Sequence, residues 1–231
     1  MNATTISAWE NYVSRRFGEM KSHFPDSIAT DDPRLLAIQM TFQDWHGRKV
    51  LDLGCGRGRY EKHFQTWGAD YYGLDISRDF METGRFRQNR VVGSALRLPF
   101  ETNAFDSILI AETLQHSPLP ILALKNAIHC VKSGGALVVI ERNPFALSSA
   151  WPLIPALLIK KIDEYRGRWM YPSDAPVREK WLNPHTILNY FKKDNLEFHL
   201  QFMLSNEQHS TLPQVKIKHF RPFYALTIWK K

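Results

Sequence analysis

The sequence predicts a doubly wound, mostly parallel α/β sheet with helices on both faces, and three observations predict it. From Lys49 onward, apolar runs of strand length alternate with amphipathic runs of helical length, the pattern of repeated βαβ units. The run Val50-Leu-Asp-Leu53 breaks directly into Gly54-Cys-Gly56-Arg-Gly58, a turn whose glycines let backbone approach a ligand where side chains would block it. A second run, Tyr71-Tyr-Gly-Leu-Asp75, ends on an acid. It lies about twenty residues past the glycines, where a carboxylate reaches a ribose diol in nucleoside-binding α/β folds.

The elements follow in order. Ile6, Trp9, Val13, Phe17 and Met20 recur at helical spacing and predict an amphipathic N-terminal helix. Asp32-Pro33 reads as N-cap and first residue of a second helix, with Leu35, Ile38, Phe42 and Trp45 as its buried stripe and Gly47 as its close. Next come a strand over 49–54, a helix over 58–67 stopped by Gly68, a strand over 70–76, a short helix opened by Ser77 and a strand over 90–94. Phe105–Ala111 is a fourth strand, 119–132 a helix ending near Gly134-Gly135, and 136–141 a fifth strand. Asn183-Pro184 opens a helix through Lys193, followed by runs over 196–204 and 223–229. Residues 143–182 fit neither a βαβ unit nor a short loop, and this insert after strand 5 is where substrate choice is expected.

At 231 residues, 44% hydrophobic and 13% aromatic, the chain can bury one core and reads as a single domain over 1–231. Its parts are N-terminal helices or lid (1–46), a cofactor-binding core (47–142), a substrate-side insert (143–182) and a C-terminal segment (183–231). The net charge is +7, but Arg57, Arg59, Arg78, Arg85, Arg87, Arg90 and Arg97 are scattered among acids and strands. That favours a mildly basic soluble enzyme over a nucleic-acid binder. Two cysteines, Cys55 and Cys130, argue against a disulfide framework and fit a reducing cytoplasm. Residues 1–20 contain no apolar signal region, and the longest apolar stretch, 145–159, is interrupted by Pro152 and Pro155 and falls short of a membrane span. The nine histidines have no zinc-like spacing and no acid cluster sits near the fourth strand, so no metal is expected.

The glycine spacing separates two nucleoside binders. Arg59 stands where the dinucleotide fingerprint has its third glycine, which weakens an NAD-dependent oxidoreductase reading. Val50–Tyr60 instead resembles motif I, (V/L)LDxGCGxGxx, of class I S-adenosylmethionine-dependent methyltransferases. Val92-Gly-Ser-Ala-Leu-Arg-Leu-Pro-Phe100 resembles their (G)DAxxLPF stretch, and Phe105-Asp-Ser-Ile-Leu-Ile-Ala-Glu-Thr-Leu-Gln-His116 resembles FDxVxxxxxLxH of the small-molecule branch. The resemblance implies seven strands with a C-terminal antiparallel hairpin, and S-adenosyl-L-methionine as cofactor, leaving as S-adenosyl-L-homocysteine. It assigns Gly54, Cys55 and Gly56 to the methionine end, Asp52 to the methionine amino group, Asp75 to the ribose and Ile76 to the adenine face. A backbone carbonyl at Ala111 or Glu112 would also take the amino group. Ser94 stands where an acid usually accepts from the adenine amino group, so that contact is expected from water or the Ala95 amide. His116 is either a general base or a structural residue.

These readings give methyl transfer to a small-molecule or lipid/glycan-linked acceptor, at oxygen, by in-line displacement. The alternatives are N- or C-methylation of a small metabolite or quinone-like acceptor, and a non-catalytic cofactor-binding module. Glu112-Thr-Leu-Gln replaces the (D/N/S)PP(Y/F) turn of nucleic-acid amino-methyltransferases, so no nucleic-acid partner is expected. Trp151, Tyr165, Trp169, Tyr171 and Trp181 beside Lys160, Lys161, Arg166 and Arg168 suggest a lipophilic acceptor or peripheral membrane contact through 145–170. A cap packing its own aromatic residues on the sheet is the competing account. Glu141-Arg-Asn-Pro144 resembles an ExNP turn of methyltransferases in polysaccharide and lipid-linked glycan pathways. The expected location is cytoplasmic, with the inner membrane face as the variant.

Overall fold

The computed structural model describes residues 1–231 except 84–88, 149–150, 152 and 205–216; Arg85, Arg87 and Pro152 lie outside the described residues. Seven strands are described: β1 (Lys49–Leu53), β2 (Asp70–Asp75), β3 (Arg90–Val92), β4 (Phe105–Ala111), β5 (Val131–Arg142), β6 (Leu196–Met203) and β7 (Phe223–Lys230). They form one sheet in the order β3-β2-β1-β4-β5-β7-β6. Strands β1 to β5 pair in parallel, and β7 runs antiparallel between β5 and β6. The expected doubly wound sheet and its antiparallel hairpin are both present.

Side-chain alternation explains how one sheet carries two cores. Leu51, Leu53, Ile108, Ile110, Leu137 and Val139 pack on one face, while Val50, Leu109, Ala111, Val138 and Ile140 pack on the other. Successive strand residues point to opposite faces, so a continuous apolar run serves both. The first face is covered by α5 (Pro120–Cys130) and α7 (Pro184–Phe191), and the second by α2 (Pro33–Gln39) and α3 (Glu61–Thr66). The remaining described helices are α1 (Ala3–Glu19), α4 (Arg78–Thr83) and α6 (Ala156–Tyr165).

Three boundaries differ from the sequence expectation by three residues or more. Helix α2 stops at Gln39, so Phe42 and Trp45 lie beyond it. Trp45 still reaches the core, because its Nε1 donates to the Gln39 carbonyl at 3.0 Å and its ring packs on Phe64. Helix α3 starts at Glu61 rather than 58: Gly58, at φ +81°, donates to the Cys55 carbonyl at 2.8 Å and belongs to the turn. Strand β5 starts at Val131, five residues early, and its ladder with β4 is irregular between Phe105 and Ser107. A Cβ at Gly135 would lie 2.6 Å from the Asp106 carbonyl oxygen, which is why that approach needs glycine.

Helix α1 lies across the carboxyl ends of the strands. Trp9 Nε1 donates to the His116 carbonyl at 2.9 Å, Ser14 Oγ to the Ile76 carbonyl at 3.0 Å and Arg16 Nε to the Met170 carbonyl at 2.9 Å. Val13 packs there with Tyr171, Ala175 and Val177, joined by Trp9, Tyr12, Phe17 and Met170. The N-terminal helix and the insert therefore share a small third core, a roof over the sheet. Among the described residues no helix is long and apolar enough to cross a membrane.

Candidate functional site

A cavity of about 900 Å³ opens between the strand ends and this roof, lined by residues from the glycine turn, β2, the segment after β3, the turn after β4, α1 and the insert. Every site residue predicted from the sequence lines it: Asp52, Gly54, Cys55, Gly56, Asp75, Ile76, Ser94, Ala95, Glu112 and His116. That volume exceeds a nucleoside and leaves room for a second ligand.

The glycine turn is built for close approach. Gly54 (φ +85°) and Gly56 (φ +52°) hold conformations that side chains resist. A Cβ at Gly54 would fall 2.2 Å from Thr113 Oγ1, whereas at Gly56 nothing lies nearer than the Phe80 ring at 3.9 Å. The turn's amides are largely used internally: Gly54 and Cys55 donate to the Leu74 carbonyl (2.7 and 3.1 Å), and Gly56 to Asp75 Oδ2 (2.8 Å). The turn therefore offers a ligand shape more than amide donors, a detail that spacing could not disclose.

Asp75 accepts from the Gly56 amide at Oδ2 and from the Ser77 amide at Oδ1, each at 2.8 Å. These bonds aim the carboxylate, and each oxygen keeps a lone pair for a ligand hydroxyl. Burial raises its pKa, against those amide bonds. Asp52 is also buried, and its Oδ2 accepts from the Tyr71 hydroxyl at 2.9 Å. Burial pushes its pKa up to about 7, so a cation arriving beside it would restore its charge.

Glu112, at φ +53°, ends β4 in a turn that presents its side chain to three arginines. Its Oε2 lies 3.1 Å from Arg34 and 2.8 Å from Arg59, and its Oε1 lies 3.8 Å from Arg142. Burial works to raise its pKa, but Arg59, Arg142 and Arg34 outweigh that and hold it at about 2. Asp32 caps α2 through the Arg34 amide at 2.8 Å and also holds the Arg34 guanidinium at 2.8 Å. Three guanidiniums face two carboxylates here, a surplus positive charge at the cavity wall beside the turn. Sequence reading missed Arg34 and Arg142 because they lie far from the motifs; only Asp32-Pro33-Arg34 as a helix start hinted at their neighbourhood.

Glu141, at the end of β5, serves the structure of the neighbouring turn. Its Oε1 accepts from the Thr113 and Leu114 amides at 2.9 and 2.7 Å, clamping the turn that carries His116. Burial pushes its pKa up to about 8. Asn143 donates to the His219 and Arg221 carbonyls at 2.7 and 2.8 Å and locks the exit of β5 against the entrance of β7.

His116 sits at the roof side of the cavity. The Tyr171 hydroxyl lies 3.1 Å from its Nδ1, Gln115 Nε2 lies 3.3 Å from its Nε2, and the Phe17 ring packs edge-on at 5.0 Å. Burial lowers its pKa, so the ring is neutral at neutral pH. Beyond it the insert supplies Trp169, Trp181 and Glu179, all lining the same cavity. The insert's large apolar residues divide in two. Trp169, Tyr171 and Trp181 turn inward, as a packed cap requires, while Trp151, Leu153, Leu158, Ile162 and Tyr165 are exposed.

Among the described residues no group of three or more His, Cys, Asp or Glu side chains could hold a metal ion. The open face at Gly56, the aimed carboxylate of Asp75 and the charged wall at Glu112 instead fit a nucleoside carrying a zwitterionic amino-acid tail.

Comparison with known proteins agrees with this geometry. Residues 51–139 match the family model described as a methyltransferase domain. The chain is 31% identical over 192 residues to a ubiquinone biosynthesis O-methyltransferase of Dechloromonas aromatica, covering 73% of this chain and 80% of that one. It is 34% identical over 98 residues to a demethylmenaquinone methyltransferase of Renibacterium salmoninarum, a match spanning 41% of each chain. An S-adenosylmethionine-dependent methyltransferase from Mesorhizobium loti shares the fold, with a TM-score of 0.63 at 18% identity over 84% of this chain and 96% of that one. Motif, fold and relatives agree: the chain belongs to the class I S-adenosylmethionine-dependent methyltransferases, and S-adenosylmethionine is its methyl donor.

Proposed function

We propose that this methyltransferase, read as one domain over its whole length, acts on a hydroxyl oxygen of a small, neutral, lipophilic acceptor of the quinone-like class. The observation that carries this reading is Glu179. The residue is 7% exposed, and its carboxylate accepts from the indole N–H groups of Trp169 (2.8 Å) and Trp181 (2.6 Å). Among the described residues no cation pairs with it: Lys160 bonds the Glu179 backbone carbonyl at 3.0 Å and pairs with Glu164 instead. A buried anion at a cavity wall calls for a hydrogen-bond donor. The indole faces already carry Lys160 over Trp169 and Arg142 over Trp181, each at 5.8 Å, so a neutral hydroxyl suits the place better than an additional cation. The relatives named for ubiquinone and demethylmenaquinone support the same acceptor class.

When bound, S-adenosylmethionine supplies a sulfonium methyl group that the acceptor oxygen takes by in-line displacement. The chain's part is to align the reactants and keep water out. Asp75 holds the ribose, Asp52 faces the donor's ammonium, and Arg34, Arg59 and Arg142 hold its carboxylate around Glu112. Neutral His116 receives the proton of the reacting hydroxyl at Nε2, which takes the place of the 3.3 Å contact with the Gln115 amide, while Glu179 accepts from a second hydroxyl of the acceptor. If so, kcat/KM rises with pH through a value below the ordinary histidine pKa and then levels off. Replacing His116 by alanine is expected to lower kcat about a hundredfold or more and to erase that limb. Unchanged turnover and an unchanged profile would remove it as the base.

Lipophilic acceptors reside in membranes, and the exposed side of the insert is suited to one. Leu158, Ile162 and Tyr165 lie on one side of α6, with Trp151 and Leu153 before it and exposed Lys161 and Arg166 flanking. The protein is expected to sediment with vesicles of anionic phospholipid at low salt and to be released as salt is raised. Failure to bind such vesicles at low salt rejects the membrane contact while leaving the acceptor site standing.

A further inference from the structure

The adenine end of the cavity contains a residue that no motif supplies. Asp75 marks the ribose, Ile76 follows it, and Ser94 and Ala95 enter the same space from beyond β3. Position 94 carries a hydroxyl where a carboxylate was expected. In the folded chain that hydroxyl donates to Oε1 of Glu10, from α1, while accepting the Leu96 amide at 3.0 Å. Glu10 is 84 positions away in sequence. Its side chain is 11% exposed, and its other oxygen lies 3.6 Å from the largely exposed Arg97 guanidinium. A carboxylate is thus held against the base-binding wall by a serine too short to reach a base itself.

We propose that Glu10 is the acid that reads the exocyclic amino group of the donor's adenine, standing in space where position 94 lacks one. The inference rests on the reading that places the donor's base beside Ile76 and Ser94. Serine at 94 then has a specific use: its hydroxyl donates to one carboxylate oxygen and orients the group, leaving acceptor lone pairs for an amino N–H. A purine with a carbonyl in place of that amino group would turn lone pairs toward the carboxylate and be rejected. Because Glu10 belongs to α1, base recognition and seating of the roof become one event. Trp9 and Ser14, on the same helix, bond the backbones of His116 and Ile76, so a correctly read adenine brings the roof onto the reaction face.

Titration calorimetry with S-adenosylhomocysteine and S-inosylhomocysteine tests this on the full chain without turnover. Wild type is expected to prefer the adenosyl compound roughly tenfold or more, the worth of a hydrogen bond to a charged group. Glu10→Ala should weaken the adenosyl compound by about the same factor and leave the inosyl compound unchanged or bound more tightly. Glu10→Ala combined with Ser94→Asp should restore the preference, because the acid is returned on the other side of the same space. Equal weakening of both compounds by Glu10→Ala would make Glu10 only a helix-docking residue and overturn the proposal, as would wild-type binding in that variant. Failure of wild type to bind S-adenosylhomocysteine would instead reject the placement of the donor itself.

Discussion

Asp75→Ala is expected to weaken S-adenosylhomocysteine binding on the order of a thousandfold, with a smaller fall in thermal stability. The carboxylate's oxygens are each aimed by one backbone amide, of Gly56 and of Ser77. Two ribose hydroxyls donating to it make two charge-assisted bonds, each contributing about 1.5–3 kcal/mol, which together correspond to roughly 10² to 10⁴ in affinity. The substitution also leaves two amides without their acceptor, so the glycine turn loosens beside the lost contact. Calorimetry reads the lost affinity, and thermal unfolding of the unliganded variant reads the loosened turn. Asp75→Asn is the sharper variant: its amide nitrogen must face one of those N–H donors. Near-normal affinity in both variants would remove Asp75 from the donor site.

Glu112→Ala is expected to cost about 3–5 kcal/mol of stability, the usual effect of removing one partner from a buried charge cluster. Arg34, Arg59 and Arg142 would then confront one another, with Asp32 the one carboxylate still paired to any of them. That sum is a large share of the 5–15 kcal/mol by which a domain is ordinarily stable. The sign of its pH dependence follows from a pKa held near 2 in the folded chain against 4.5 as the ordinary value. Stability from the cluster is fully present above about pH 4.5 and is lost as pH falls toward 2. Urea unfolding at pH 7 and at pH 3 should therefore show the wild-type advantage over Glu112→Ala shrinking at the lower pH. An equal difference at both would mean the arginines are not what the carboxylate stabilises. Added S-adenosylhomocysteine should stabilise the variant at pH 7 more than it stabilises wild type, since its carboxylate then meets the three guanidiniums without Glu112 competing for them.

Periodicity located the sheet because apolar runs that serve two cores leave little choice of conformation: Val50 to Leu53 and Phe105 to Ala111 read as strands and are strands. Turn chemistry was legible where a conformation demands a particular residue. Gly54 and Gly58 have positive φ, and Asp32 and Asn183 cap the helices that follow them. It failed where packing overrode propensity. Trp45 is spaced as a helical residue yet reaches the core from beyond α2 by bonding the carbonyl of Gln39, the helix's last residue. Residues 131–135 look like the end of a helix, but pairing with β4 draws them into β5.

The sequence alone determined the fold class and the donor, because these depend on short contiguous patterns whose backbone geometry is local. Arg59 in place of a third glycine and Asp75 at the end of β2 are such patterns. Tertiary structure alone decided who shares the cavity. Glu10 beside Ser94, Arg34 and Arg142 beside Glu112, and Glu179 between Trp169 and Trp181 are brought together by α1, α2 and the insert folding over the sheet. The physical reason is range: a turn is set by neighbours one to four residues apart, whereas a charge in a cavity is satisfied by whatever partner the packed elements carry to it.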